Sequence, residues 1–255
     1  MKILIASKQN KKCLNYADGL SKKLRKHEIV FDIQTGKALS KTSEEIERFD
    51  GDIAITIGGD GTFLRVAHQT HVPILPIRAE GVGYLCSTSF DEFVKKNIKK
   101  FDDYEITKVS TLSIKNGIKA PRAINEIFIA NDRKITDIRF TIDETEFGFI
   151  GDGIIFSTPL GSTGHAMSLG GPFIGWDADV ICIVPVAPFN SKIRPMIVPS
   201  DKKIAVKVSS GVVIVDGFWK KPFAGRNFVI EKGEPVKIIT LEDDCYKKFR
   251  EKFLD

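Results

Sequence analysis

At 255 residues, 42% hydrophobic and 28% charged, the chain is long enough to bury one large core or two moderate ones, and no apolar run approaches the roughly 18 residues that a membrane-spanning helix needs. The formal net charge of +5 comes from scattered clusters (Lys11-Lys12, Lys22-Lys23-Leu24-Arg25-Lys26, Lys247-Lys248) without any helix-turn-helix or RNA-binding aromatic motif, so it reads as solvated helix faces and a field attractive to small anions, with no nucleic-acid partner. Cys13, Cys86, Cys182 and Cys245 show no paired spacing, and His68 and His71 lack a third ligand; neither a metal nor a disulfide framework is predicted, and a cytoplasmic location is expected.

The first hundred residues alternate short β-branched runs with helical spacing. Strands are predicted at 2–6, 29–33, 52–57 and 72–76, and helices at about 13–26, 43–49, 62–68 and 90–99. Such alternation predicts a Rossmann-like α/β domain with a mainly parallel sheet, whose ligands bind at the carboxyl ends of strands. From about Tyr104 the period changes to two. Strands are predicted at 108–114, 122–130, 137–142, 145–149, 153–157, 180–185, 203–208, 212–215, 228–231 and 236–240, with a hairpin turn at Asp143-Glu144. Ten short strands predict a β-sandwich domain, and 242–253 has helical character. The expected division is an α/β domain over 1–103, a β-sandwich domain over 104–240 and a C-terminal helix over 241–255.

The predicted strand at 52–57 runs into Gly58-Gly59-Asp60-Gly61-Thr62. At a strand-to-helix turn, glycine tolerates unusual backbone angles and lets a ligand approach the main chain, while the helix N-terminus presents unpaired N–H groups to an anion. A phosphate fits such a corner, with Asp60 as its single carboxylate. Alone, the same residues serve equally as a tight turn capped by Asp60. The Walker pattern is excluded because Thr62 and Phe63 follow Gly61, and the dinucleotide fingerprint fails where Leu64 stands. Arg65, one turn into the helix, reads either as a phosphate contact or as a surface arginine.

A second dense segment, Thr158-Pro159-Leu160-Gly161-Ser162-Thr163-Gly164-His165-Ala166-Met167-Ser168-Leu169-Gly170-Gly171-Pro172, follows Gly151-Asp152-Gly153. Pro159 limits the incoming strand, Ser162 or Thr163 can cap a short helix, and Gly170-Gly171-Pro172 stops it. Between the two segments, Asn125-Glu126 opens an apolar strand; such a pair suits ribose hydroxyls, and by itself it reads as a solvated strand end.

Together these segments resemble the NAD kinase family, whose hallmarks are a Gly-Gly-Asp-Gly turn, an Asn-Glu pair and a later Gly-Ser-Thr loop ending in Gly-Gly-Pro. The likeness runs from about Ile3 through Asp216-Gly217 and includes Arg194-Pro195. The first turn alone also occurs in diacylglycerol and sphingosine kinases and in related phosphofructokinases; the other two motifs narrow it. The resemblance implies transfer of a phosphoryl group from ATP or polyphosphate to the 2′-hydroxyl of the adenosine ribose of NAD. It implies Asp60 as the catalytic group, with Gly59, Gly61, Thr62, Arg65, Tyr84, Asn125, Glu126, Asp152, Thr163, Gly164, His165, Ala166, Met167, Ser168 and Ala187 binding substrate. Mg²⁺ is expected with the phosphoryl donor, since no Walker lysine is present. A homodimer or homotetramer is also implied, as is a C-terminal segment that packs back on the first domain.

Two departures stand out. Gly164-His165 replaces the Ala-Tyr of many members, so an imidazole stacks on adenine or merely fills the short helix. Arg78-Ala79-Glu80-Gly81-Val82-Gly83-Tyr84 replaces an Asn-Thr-Gly segment; Arg78 adds a cation within reach of a phosphate, and Glu80 is expected to pair with it. The alternatives are a kinase acting on a lipid or sugar hydroxyl and a non-catalytic dinucleotide sensor.

Overall fold

The computed structural model describes residues 1–81, 83–98, 104–131, 136–189, 192–241 and 245–254. It divides into two compact units, residues 1–108 with 236–255, and residues 109–235.

The first unit is built on a sheet in the order Ser43–Glu44, Glu28–Asp32, Lys2–Ser7, Ile53–Gly58, Ile74–Arg78, Val236–Thr240, Glu105–Val109. The first six strands pair in parallel, for example Ile5 with Ile55 and Ile55 with Leu75. Strands Lys2–Ser7 and Ile53–Gly58 are neighbours, and the chain winds outward from them in opposite directions. The carboxyl ends of these two strands therefore form the topological switch point of the sheet, where doubly wound folds bind ligands. Helix Lys11–Lys23 buries Cys13, Ala17 and Leu20, spaced on one face, and Asn10 caps it by accepting the Cys13 N–H at 2.8 Å.

The predicted helix at 43–49 is instead a two-residue strand, Ser43–Glu44, and a 3₁₀ turn, Ile46–Arg48; the helix of this region is Ile33–Leu39. Parallel pairing of Phe31 with Ser43 draws 43–44 into the sheet, a tertiary contact that overrides local spacing. The predicted helix at 90–99 is one α turn, Phe90–Glu92, widening into a π turn, Phe93–Asn97, and Lys99 lies outside the described residues. The final helix is Cys245–Phe253, and residue 242 is likewise outside them.

The second unit is a nine-stranded antiparallel sheet. Its long strand Ile204–Val215 pairs with Thr136–Ile142 over its first half and with Glu126–Ala130 over its second. The change of partner falls at Gly211, where a methyl group would overlap the Ala130 carbonyl. This exchange and the hairpin with Trp219–Lys232 bring residues of all the longer strands, including Ile129, Phe140, Phe156, Ile183, Val206 and Phe228, into one core. Asp143-Glu144 forms the expected two-residue hairpin turn, with Asp143 at φ 53°.

Two boundaries differ from the sequence expectation. The run at 108–114 is divided between Glu105–Val109 in the first sheet and Leu112–Lys115 in the second, and 236–240 lies in the first sheet, paired with Ile74–Arg78. A period of two marks a strand and says nothing of the sheet that it joins.

Candidate active site

In the first unit, strand Ile53–Gly58 ends at the switch point, Gly59 is extended (φ −127°, ψ −164°), and helix Asp60–Ala67 begins at once. A methyl group added at Gly59 or Gly61 would meet nothing within 4 Å, whereas Gly58 is packed against the Thr62 side chain. The main chain at 59–61 is therefore open on the side where a ligand would come. Asp60 occupies the first helical turn, where the dipole favours a carboxylate. Its oxygens accept the backbone N–H of Leu85 at 2.8 Å and of Tyr84 at 3.3 Å. A carboxylate has about four lone-pair sites, so roughly half its capacity remains for a ligand hydroxyl. The Cys86 thiol of the same turn is pushed up to about 12, by burial first and then by Asp60, and stays protonated at neutral pH.

Three expectations change here. Arg65 is engaged away from the glycines: its Nη1 lies 2.8 Å from Asp32 Oδ2, with the Asp32 side chain only 2% exposed. It is thus neither a free phosphate ligand nor a surface arginine. The Tyr84 ring is buried, and its contact with the turn is its backbone N–H. Glu80 is held by Lys8 at 3.7 Å and by the Asn10 amide at 3.3 Å, both from the loop after the first strand.

In the second unit, Asn125 and Glu126 are fixed from two directions. Asp216, from the turn of the long hairpin, accepts the N–H groups of Ile124, Asn125 and Glu126, each at 2.8 Å. Thr158 donates its N–H to the Asn125 carbonyl at 2.9 Å and its hydroxyl to the Ile124 carbonyl at 2.7 Å, and accepts from the Gly161 N–H at 3.0 Å. Gly161 lies so close that a methyl there would overlap the Asn125 carbonyl and come within 2.7 Å of its Cα. The Asn125 Oδ1 is buried without a hydrogen-bond partner, and the Glu126 carboxyl is buried and pushed up to about 7, by burial first and by the Asp216 charge second.

The glycine-rich loop covers the outer face of strands Gly153–Ser157 and Val180–Val186, packing Ala166 and Ile174 over Ile155, Cys182 and Val184. This explains why Gly153–Ser157 is buried on both faces and apolar up to Phe156. The Ser162 hydroxyl clamps the loop to the backbone of Ile174. Thr163 is buried, Met167 is half-buried, and Gly164, His165 and Ser168 are exposed. The His165 ring stands edge-on to Phe128, centroids 5.3 Å apart, and a methyl on Gly164 would lie 3.8 Å from Glu126 Oε2. Glu126, Gly164 and the loop helix therefore form one cluster. Asp152 and Ala187 do not join its centre. Gly153, next to Asp152, pairs with Val186, next to Ala187, whereas Glu126 pairs with Ser157 at the other end of the same strand. Asp152 is five residues from Ser157, so at about 3.4 Å per residue the two groups are roughly 17 Å apart. Ala187 is exposed with φ 44°.

The sequence reading missed the work of Asp216 and Thr158. Asp216-Gly217 between two β runs signals a turn, but not where its carboxylate reaches. Among the described residues, no group of three or more His, Cys, Asp or Glu side chains is placed to hold a metal ion, and no helix is long and apolar enough to cross a membrane.

An open glycine turn with one carboxylate at a doubly wound switch point, in a chain that also carries a buried Asn-Glu pair under a hydroxyl-rich loop, is an arrangement suited to a phosphotransferase. Residues 5–102 match the ATP-NAD kinase N-terminal domain and residues 125–220 the ATP-NAD kinase C-terminal domain. The NAD kinase of Thermococcus kodakarensis is 36% identical over 87% of this chain and 86% of that protein, and the NAD kinase of Thermoplasma acidophilum 30% identical over 100% and 96%. An NAD kinase from Archaeoglobus fulgidus, crystallised in complex with ATP, superposes with a TM-score of 0.81 at 28% identity, covering 99% of this chain and 97% of that one. Yeast NADH kinase complexed with NADH shares the fold, with a TM-score of 0.90 at 18% identity over 100% and 87%. The chain belongs to the NAD kinase family, and it is a kinase.

Proposed function

We propose that the protein transfers the γ-phosphoryl group of ATP, or the terminal phosphoryl group of another polyphosphate, to the 2′-hydroxyl of the adenosine ribose of NAD, giving NADP. The observation that carries this reading is the open main chain of Gly59 and Gly61 on either side of Asp60 at the switch point. Among the described residues nothing packs where a side chain would stand at these two positions, and that space suits a phosphate at a helix N-terminus. Asp60 accepts the proton or hydrogen bond of the 2′-hydroxyl through lone pairs that Tyr84 and Leu85 leave unused. In a loose phosphoryl-transfer transition state this positioning matters more than full deprotonation.

Asn125 and Glu126 hold ribose and amide groups of the dinucleotide. Thr163, Gly164, His165, Ala166, Met167 and Ser168 enclose adenine and its ribose, and Asp152 with Ala187 meets the far end of the same ligand. A protonated Glu126 donates a hydrogen bond where an ionised one accepts, so its raised pKa makes dinucleotide binding sensitive to pH near neutrality. Mg²⁺ bound to the donor would neutralise its phosphates. The working assembly is a homodimer or homotetramer, which light scattering in solution measures directly.

The test is to incubate pure protein with NAD, Mg²⁺ and either ATP or polyphosphate and to measure NADP with an NADP-specific dehydrogenase. NADP formed with either donor supports the reading and names the donor. Phosphoryl transfer to other alcohols without NADP formation overturns it.

A further inference from the structure

Strand Glu126–Ala130 pairs with the long strand Ile204–Val215, and that ladder ends at the pair Val215 with Ile127. The next residues in either direction are Asp216 and Glu126. There the ladder is replaced by a side chain: Asp216 Oδ2 accepts the Ile124 N–H, Oδ1 accepts those of Asn125 and Glu126, and the Asp216 N–H donates to the Glu126 carbonyl at 3.1 Å. Asp216 reaches them from a left-handed backbone (φ 47°), followed by Gly217 at φ 75°. The hairpin itself is already held by register pairs from Ile204 with Ile230 to Val215 with Trp219, so Asp216 is not needed to join its strands. The three bonds fall on the two residues that open the dinucleotide strand and on the one before them.

We propose that Asp216 is the positioning residue of the dinucleotide site, acting through Asn125 and Glu126 by fixing three consecutive N–H groups and hence the directions in which both side chains leave the main chain. This rests on the reading that Asn125 and Glu126 bind NAD. Hydrogen bonds from N–H to a carboxylate are roughly twice as strong as neutral ones, and a turn whose only task was to close a hairpin would not need a charge beside a buried glutamate. That charge has a second effect. Asp216 is the charged group that acts on Glu126, whose other close neighbours include the paired Ser157 and Gly164. The Asp216 carboxylate, after burial, is what holds Glu126 in its protonated form toward neutral pH.

The test uses Asp216→Gly, which keeps the left-handed turn and removes the carboxylate, and Asp216→Asn, which keeps the shape and one acceptor and removes the charge. Asn125→Ala and Glu126→Ala serve as controls for the underlying reading. NAD affinity is measured by calorimetric titration from pH 5.5 to 8.5, KM and kcat for NAD and for ATP by initial rates, and folding by thermal melting. Asp216→Gly is expected to weaken NAD binding by roughly 10- to 100-fold, the scale of a small misplacement of binding groups, with the ATP KM within a few-fold of wild type. Asp216→Asn is expected to fall between, and to move the Glu126 transition in the pH profile to lower pH. If Asp216→Gly melts at a lower temperature but binds NAD like wild type, or if Asp216→Asn leaves the pH profile in place, Asp216 is a structural anchor and the proposal is overturned. Should Asp216→Gly fail to fold, Asp216→Asn decides by the same affinity and pH profile. If Asn125→Ala and Glu126→Ala also bind NAD normally, the underlying assignment of the dinucleotide site is what has failed.

Discussion

The two glycine-rich segments look alike on paper and are opposites in space. In the first, a methyl on Gly59 or Gly61 would meet nothing within 4 Å among the described residues. In the second, Gly161 is pressed on the Asn125 backbone, and a methyl on Gly171 would come within 2.8 Å of the Ala166 carbonyl oxygen. Gly59 and Gly61 leave open the space beside the main chain, whereas Gly161 and Gly171 let two stretches of the chain touch. The anchoring carboxylates differ in the same sense. Asp60 holds two N–H groups of a neighbouring turn and keeps capacity in reserve, whereas Asp216 accepts from three successive N–H groups.

The largest expected effect separates holding from chemistry at Asp60. Asp60→Asn should lower the rate of NADP formation by about 10²- to 10⁴-fold, the usual scale for losing a catalytic base. Losing the bond to one of the Tyr84 and Leu85 N–H groups should cost only about 1 kcal/mol of stability. Initial rates and melting curves check the two numbers separately, and a variant that keeps most of its turnover removes Asp60 from catalysis.

Next in size is the buried Glu126. Its folded pKa of about 7 lies above the ordinary value of 4.5, so folding is undisturbed by this group below pH 4.5 and loses stability as pH rises toward 7, then levels off. Glu126→Gln keeps the shape without the titration. It should match wild type near pH 4.5 and exceed it by on the order of 1–3 kcal/mol above pH 7. Denaturant midpoints across pH measure this, and parallel curves for the two proteins would mean that Glu126 is ionised at no cost in the folded state.

The two smallest effects test the glycines directly. Gly161→Ala forces a methyl into the Asn125 backbone and should cost about 1–3 kcal/mol of stability, as overpacking does, together with a higher KM for NAD. Gly61→Ala should do the reverse for folding, because alanine at an open helical position stabilises by up to about 1 kcal/mol. Its activity should nevertheless fall as the methyl blocks the phosphate corner. If Gly61→Ala is both more stable and fully active, the first turn is only a helix start, and the contrast between the two loops collapses.

Much of the first unit was legible because its signals are local. A β-branched run, a glycine turn and helical spacing after it define Ile53–Gly58 and Asp60–Ala67 to within two residues, and Asp143-Glu144 announces its own hairpin through a turn that only a few residue types form easily. The failures share a different cause. Residues 236–240 read correctly as a strand and incorrectly as part of the second domain, because a period of two fixes which face is buried but not which neighbour supplies the hydrogen bonds.

The same division holds in the site. By itself the sequence singled out the candidate residues, since Gly59, Asp60, Gly61, Asn125, Glu126 and the 158–172 loop are marked by residue type and short spacing. Only the tertiary structure decided which of them share a neighbourhood and what holds them. It tied Arg65 to Asp32 across 33 positions, put Asp152 and Ala187 at the far end of the strand from Glu126, and brought Asp216 to Asn125 across 91. Contacts at such separations are not written in any window of sequence. They form because sheet register and core packing bring distant backbone together, and a buried N–H or carboxylate must then be satisfied by whatever group the fold has placed beside it.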